Sequence, residues 1–261
     1  MKIASNNLQI HVREQGAGDI ALVLLHYWGG STRSWDGVAA RLAKSHRAIA
    51  VDFRGWGQSD ASPDGAYRIA DLADDTQSVI EALGLTNYLV VGHSMGGKVA
   101  QLLASRRPHG LKGLILVAPS PPSPPTVPPE QTEIMKHAYD SAESVSWVLD
   151  NVLTGRKLDG ALREQIIKDS LSGAQQAKVA WPTVALLEDI SGSVGSINVP
   201  TLIVGGELDK VDSVDMLRNE VLPRIAGARL ESLSGVGHLS PIEAPDAVAS
   251  KILGFLQEIA R

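Results

Sequence analysis

The stretch Leu89-Val90-Val91-Gly92-His93-Ser94-Met95-Gly96-Gly97-Lys98-Val99 leaves this chain few folds to adopt. An apolar, β-like run stops at a glycine, a serine follows between small residues, and a helical pattern starts at once. Such a Gly-x-Ser-x-Gly sequence predicts a strained strand-to-helix turn that lifts the serine hydroxyl out of a sheet. Gly92 and Gly96 are expected where the two backbones touch, because a Cβ at either place would clash. The helix would aim its first free amides at the serine, a place where negative charge can develop. Alone, the pentapeptide also fits a turn whose serine is incidental, so its meaning depends on what surrounds it.

The surroundings repeat a strand–helix rhythm. Leu8 to Glu14 alternates apolar and polar residues, as an edge strand with one wet face does. Ile20 to Leu25 is a continuous apolar run, the mark of a strand buried on both faces. It opens into His26-Tyr27-Trp28-Gly29-Gly30-Ser31, and a helix is expected over 32–44. Arg47 to Val51 is a strand leading into Asp52-Phe53-Arg54-Gly55-Trp56-Gly57-Gln58-Ser59-Asp60. Tyr67 to Leu83 is helical, with Gly84 as its stop. Asn87 to Val91 is the strand before the serine, Met95 to Arg107 its helix, and Leu111 to Val117 a further buried strand. Alternation of this kind predicts an α/β fold, with a mostly parallel, doubly wound sheet and helices on both faces. Right-handed crossovers then gather the loops that follow the strands at one end, where ligands bind in such folds.

The rhythm breaks at Ala118. Residues 119–129 hold seven of the chain's 14 prolines, a stiff run that suits neither helix nor sheet. From Glu130 to about Ile190 the patterns are helical, and alternation resumes at Val199. The expected organisation is a core of 1–118 and 199–261, with 119–198 inserted before the last strands as a helical cap on a proline-rich hinge. A disordered linker between independent domains is the alternative, disfavoured because the split rhythm still needs its final strands. Thr201 to Val204 and Arg229 to Leu233 read as those strands, with helices from roughly Asp212 to Ile225 and Ala244 to Ile259.

Composition narrows the function. A net charge of −5 without a basic block gives no support to nucleic-acid or anionic-membrane binding. The chain has no cysteine, which excludes disulfides, thiolate metal sites and cysteine nucleophiles. Histidines 11, 26, 46, 93, 109, 137 and 238 show no paired ligand spacing, so no metal is expected. Gly92-x-x-x-Gly96-Gly97-Lys98 lacks the spacing of a phosphate-cradling loop, and no cofactor is implied. No run reaches membrane-spanning length and no signal-peptide pattern is present, so a cytoplasmic location is the expectation. The oligomeric state is not readable.

Three residues share one kind of address, a loop that follows a strand: Ser94, Asp209 and His238. A serine hydroxyl is a weak nucleophile until a base takes its proton, and imidazole does so near neutral pH. The imidazole in turn needs a carboxylate to fix its tautomer. Asp209 directly follows its strand; Glu207, Asp212 and Asp215 are neighbouring alternatives, the last two placed where acidic residues suit the start of a helix.

With these segments in order, the sequence resembles the α/β-hydrolase superfamily over nearly its whole length. Leu24-Leu25-His26-Tyr27-Trp28-Gly29-Gly30 is similar to that family's His-Gly oxyanion loop. Residues 52–60 resemble its Asp-x-Arg-Gly-x-Gly-x-Ser loop, Gly92 to Gly97 its nucleophile elbow, Gly205-Gly206-Glu207-Leu208-Asp209 its acid loop, and Gly237-His238 its base. The resemblance implies Ser94, His238 and Asp209 as catalytic residues and the backbone N–H groups of Trp28 and Met95 as the oxyanion hole. It leaves His26, Asp52 and Arg54 as loop scaffolding. Tyr27 stands where the family usually has glycine, so either the backbone takes another path or the ring shapes the pocket. Expected pocket residues are Tyr27, Trp28, His93, Trp147, Trp181 and Leu239. The serine at 94 sets aside the family's haloalkane dehalogenases and epoxide hydrolases, which attack with a carboxylate.

The expected function is a cofactor-independent serine hydrolase that cleaves a small apolar or aryl ester or lactone through an acyl-enzyme. Carbon–carbon bond hydrolases and cofactor-free haloperoxidases or perhydrolases resemble the same pattern. The arginines and lysines of the insertion (156, 157, 163, 168 and 178), one of which a ketoacid substrate would need, cannot be placed from sequence. A hydrolase-fold small-molecule receptor is the alternative from another class. The fold hosts many reactions and does not decide among these.

Overall fold

In the computed structural model, which describes residues 1–259, one eight-stranded sheet carries the chain. Its strands are β1 (Lys2–Ser5), β2 (Leu8–Gln15), β3 (Ala21–Leu25), β4 (Arg47–Val51), β5 (Tyr88–His93), β6 (Leu111–Val117), β7 (Thr201–Gly206) and β8 (Arg229–Leu233). They lie in the order β1-β2-β4-β3-β5-β6-β7-β8. The β1–β2 and β2–β4 pairs are antiparallel and the rest are parallel. The mostly parallel α/β sheet is therefore as expected. The wet edge on that side is not β2 but the short β1, whose Lys2 and Ala4 face solvent.

The side-chain period of two divides the continuous apolar runs between two layers. Val23, Leu25 and Val90 face helices α2 (Ile69–Ala82) and α3 (Met95–Ser105), where Leu72, Val79, Val99 and Leu103 close the core. Leu22, Leu24, Leu89 and Val91 face the opposite layer, which includes α1 (Asp36–Leu42). Each such buried aliphatic side chain contributes about 1.5–3 kcal/mol. A 3-10 turn over Thr32–Trp35, capped by the Ser31 hydroxyl, precedes α1 where one longer helix is expected.

Between β6 and β7 the described chain forms only helices: α4 (Pro129–Lys136), α5 (Ala142–Val148), α6 (Gly160–Ser172), α7 (Gln175–Thr183) and α8 (Ser191–Val194). Ser141 and Asp159 cap α5 and α6 with their side chains. After β7 the expected single helix over 212–225 is broken into α9 (Val214–Met216), a π turn and a 3-10 turn. The π turn stops where Pro223, which has no backbone N–H to donate, follows Leu222. Helices α10 (Ser240–Glu243) and α11 (Pro245–Ile259) end the described chain, and α11 packs Val248, Ile252 and Phe255 into the same layer as α1. No described helix is long and apolar enough to cross a membrane.

Candidate active site

Register brings the loops together. Leu25 pairs with Gly92 and His93 with Val117, so the loops after β3, β5 and β6 leave the sheet side by side. Ser94 sits at the turn with φ 54° and ψ −114°, a conformation that costs an L-residue about 1–3 kcal/mol. Its N–H donates to Val117 O at 3.1 Å, and its carbonyl accepts from Gly97, Lys98 and Ser120. A Cβ on Gly96 would lie 2.7 Å from His26 O, and one on Gly97 would lie 2.6 Å from the Pro119 side chain. The glycines are thus the residues that let helix and strand converge under the serine.

The acid and base loops are zipped to each other. Glu207 N–H donates to Leu233 O at 3.0 Å and Leu208 N–H to Val236 O at 2.8 Å. His238 follows, with Nε2 2.9 Å from Ser94 Oγ and Nδ1 2.9 Å from Asp209 Oδ2. Since the carboxylate can only accept, Nδ1 carries the proton and Nε2 faces the hydroxyl as acceptor. Asp209 Oδ1 accepts from the amides of Val211 (2.8 Å) and Asp212 (3.0 Å). All three side chains are buried. Burial would raise the Asp209 pKa, but the facing His238 and these bonds hold it below the usual carboxylate value. Burial pulls His238 down, and Asp209, with smaller help from Glu243, more than reverses this and leaves it raised. Of the acidic neighbours, Asp215 is exposed and pairs with Arg218. Asp212 does not start the next helix as expected. It is buried behind the acid loop, its carboxyl pushed up to about 8 first by burial, with Asp209 adding to the shift against His238 and Lys98.

Trp28 N–H and Met95 N–H have no acceptor among the described residues. The loop that carries Trp28 is fastened to the insertion. Tyr139 OH donates to Trp28 O (2.8 Å), Ser170 Oγ to Gly29 O (2.9 Å), and Trp28 Nε1 to Lys178 O (3.1 Å). Lys178 Nζ donates to the carbonyls of Tyr139 and Leu171, both at 2.9 Å. Tyr139 and Lys178 carry no sequence signal that foretells these ties.

Tyr27 fills space that a glycine of its own loop leaves open. Its ring lies where a Cβ on Gly30 would be, 2.7 Å from Cε1, and packs with Leu149, Leu153, Ile166, Leu239 and Ile242. Gly29, at φ 93°, makes room for the Tyr139 ring in the same way. Trp181 is buried in the cluster that also holds Trp28, Trp56 and Tyr139. Two expected pocket residues are placed elsewhere. Trp147 is 59% exposed on the outer face of α5, beside Ile134 and His137, because the inner face of that helix is taken by Val145. His93 is fully buried beneath the base loop, where its Nε2 donates to His238 O at 2.8 Å. Burial, followed by the His238 charge, pushes its pKa down to about 3, so the ring stays neutral.

His26, Asp52 and Arg54 hold loops. His26 Nδ1 donates to Tyr27 O and its Nε2 accepts from Phe53 N–H. Asp52 accepts from His11, Thr32 and Gln58, and Arg54 forms a bidentate pair with buried Asp75. Surface concavities of about 410–470 Å³ open beside Trp147, Arg156, Lys168 and Asp52, and none of these is lined by Ser94. No cluster of histidine and acidic residues among the described ones could hold a metal.

A mostly parallel sheet with helices on both faces, and a serine raised on a strained strand-to-helix turn, defines a hydrolase-type scaffold. The family described as alpha/beta hydrolase fold matches residues 20–153, and the chain belongs to it. The chain is 28% identical over 269 residues to a provisionally named non-heme chloroperoxidase of Synechocystis, with 97% of this chain and 96% of that protein covered. It is 27% identical over 268 residues to a 2-hydroxy-6-oxononadienedioate/2-hydroxy-6-oxononatrienedioate hydrolase of Escherichia coli K12, covering 97% and 92%. In structure it is similar to an esterase from Exiguobacterium antarcticum, with a TM-score of 0.90 at 23% identity over 98% of this chain and 99% of that one.

Proposed function

We propose that this chain is a cofactor-independent serine hydrolase of small carboxylic esters or lactones. The observation that carries the reading is the continuous chain Ser94 Oγ–His238 Nε2, His238 Nδ1–Asp209 Oδ2, with both links at 2.9 Å. As the Ser94 oxygen attacks the carbonyl carbon, its proton passes to His238 Nε2, and Asp209 stabilises the imidazolium. The negative charge on the carbonyl oxygen falls to the amides of Trp28 and Met95, each such donor being worth about 3 kcal/mol. His238 then gives the proton to the departing alcohol, and a water activated by the same ring releases the acyl group. Segment 119–198 acts as the cap, and the buried Ser94 is reached when that cap moves off the elbow. Tyr27, Trp28, Trp181 and Leu239 form the apolar surroundings of the acyl or aryl group.

The ester reading is favoured over a ketoacid one by the insertion's cations. Arg156 donates to Gly235 O, Arg163 pairs with Asp150, and Lys178 donates to two carbonyls, while Lys157 and Lys168 are exposed beside surface concavities that Ser94 does not line. The test is turnover of short-chain aryl esters and lactones, beside a 2-hydroxy-6-oxo-dienoic acid, by wild type and Ser94→Ala. Ester hydrolysis that falls at least about 10³-fold in the mutant is expected. Equal turnover by Ser94→Ala would overturn the nucleophile, and cleavage of the ketoacid alone would overturn the substrate class.

A further inference from the structure

Glu243 is a buried acid five residues beyond His238, on the short helix α10. Its Oε2 gathers three backbone amides: Gly155 at 2.8 Å, Arg156 at 3.2 Å and Gly237 at 3.2 Å. Two of these donors belong to the insertion and the third immediately precedes His238. The surrounding seam is close. A Cβ on Gly155 would lie 2.7 Å from Gly237 N, and one on Gly237 would lie 2.7 Å from the Thr154 carbonyl carbon. Leu239 N–H donates to Leu153 O at 3.1 Å, and Arg156 donates from Nε (3.1 Å) and Nη2 (2.7 Å) to Gly235 O. Residues 235, 237 and 239 are thus each tied to 153–156, and His238 rides between them.

We propose that Glu243 is a positioning residue for the base, clamping the insertion's Gly155–Arg156 turn to Gly237 and thereby fixing where the His238 ring stands and supporting the charge it gains. The inference rests on the serine-hydrolase reading above. An oxygen that meets three amide donors is best matched by a carboxylate, which only accepts. Burial raises the Glu243 pKa, and the three amides and Arg156 offset only part of that rise. The other charged or titratable groups around His238 are Asp209 and Asp212 on the acid loop and neutral His93 beneath it. A purely structural clamp would set stability and leave the histidine's proton affinity alone. A positioning clamp with charge moves both.

The test measures phosphonylation of Ser94 by a small alkyl fluorophosphonate from pH 5 to 9, alongside the NMR titration of the His238 ring. Glu243→Gln keeps the shape and one accepting oxygen but loses the charge. It is expected to melt near the wild-type temperature, to label about three- to tenfold more slowly, and to titrate His238 about half a pH unit lower. Glu243→Ala should slow labelling about 100-fold, the order of loss that follows a small misplacement of a reacting group. Should Glu243→Ala fail to fold, Arg156→Met, at an exposed site, is expected to slow labelling about threefold by freeing Gly235. Wild-type labelling and an unchanged His238 titration in Glu243→Gln would overturn the proposal. Absence of labelling in the wild type would instead overturn the serine-hydrolase reading, and the titration would still report on Glu243.

Discussion

Asp212 illustrates what one side chain adds to this site. Its carboxyl holds a proton up to about pH 8 in the fold, against about 4 for a free aspartate. The folded chain therefore binds more protons than the unfolded one between those values, and stability falls as pH rises through that window. Asparagine mimics the protonated acid and keeps the backbone amide that serves Asp209. Asp212→Asn is expected to melt as wild type does near pH 4 and about 5 °C or more higher at pH 8, read by calorimetry. A pH-independent difference would show that Asp212 is ionised throughout. At this scale the sequence carried much of the site, because loops after parallel strands must meet at one sheet end, and Ser94, Asp209 and His238 each follow a strand. It could not separate Asp212 from a helix-starting acid, since that depends on which residue near β7 the fold buries. His93 likewise reads as a pocket residue until its bond to His238 O places it underneath.

At the level of elements, the insertion is held to the core by a few long-range hydrogen bonds as well as by apolar contact. Lys178 on α7 is the hub, with Nζ on Tyr139 O and Leu171 O and its own carbonyl receiving the Trp28 indole. Lys178→Met keeps most of the aliphatic stem but leaves two carbonyls without their donor, at a cost of about 2–4 kcal/mol. A melting temperature about 5–10 °C lower, with faster protease cleavage between 119 and 198, is the expected outcome. An unchanged cleavage rate would assign the hold to apolar packing alone. The buried strands were readable because a two-sided apolar run has few other uses, and Leu111 to Val117 matches its strand residue for residue. Strand β1 was not, because four residues with only Ile3 and Ser5 turned inward make too short a pattern. The fragmentation of 214–224 was legible only in part, since Pro223 marks where the π turn must stop but nothing in Val214 to Val221 signals the change from α to π winding.

The molecule as a whole is one sheet with a helical segment placed across its loop end. Which tryptophan of that segment lies inside was not legible: Trp147 and Trp181 both sit in helical patterns, and only the docking of α5 and α7 turns one outward. The placement of the insertion also has a consequence in time. On a ribosome adding about 5–20 residues per second, the 84 positions from Val117 to Thr201 separate completion of β6 from arrival of its partner β7 by about 4–17 s. During that interval the nascent chain presents an apolar strand edge, with Leu114 to Val117 awaiting a neighbour. Ser94 is made with the first half of the chain, and Asp209 and His238 come only with the last 60 or so residues. A truncated chain ending at residue 198 is therefore expected to aggregate and to leave Ser94 unlabelled by fluorophosphonate; recovery of a soluble monomer would show that the insertion can cover the β6 edge by itself. Until its last strands are threaded, the half-made enzyme is both chemically silent and a client for chaperones.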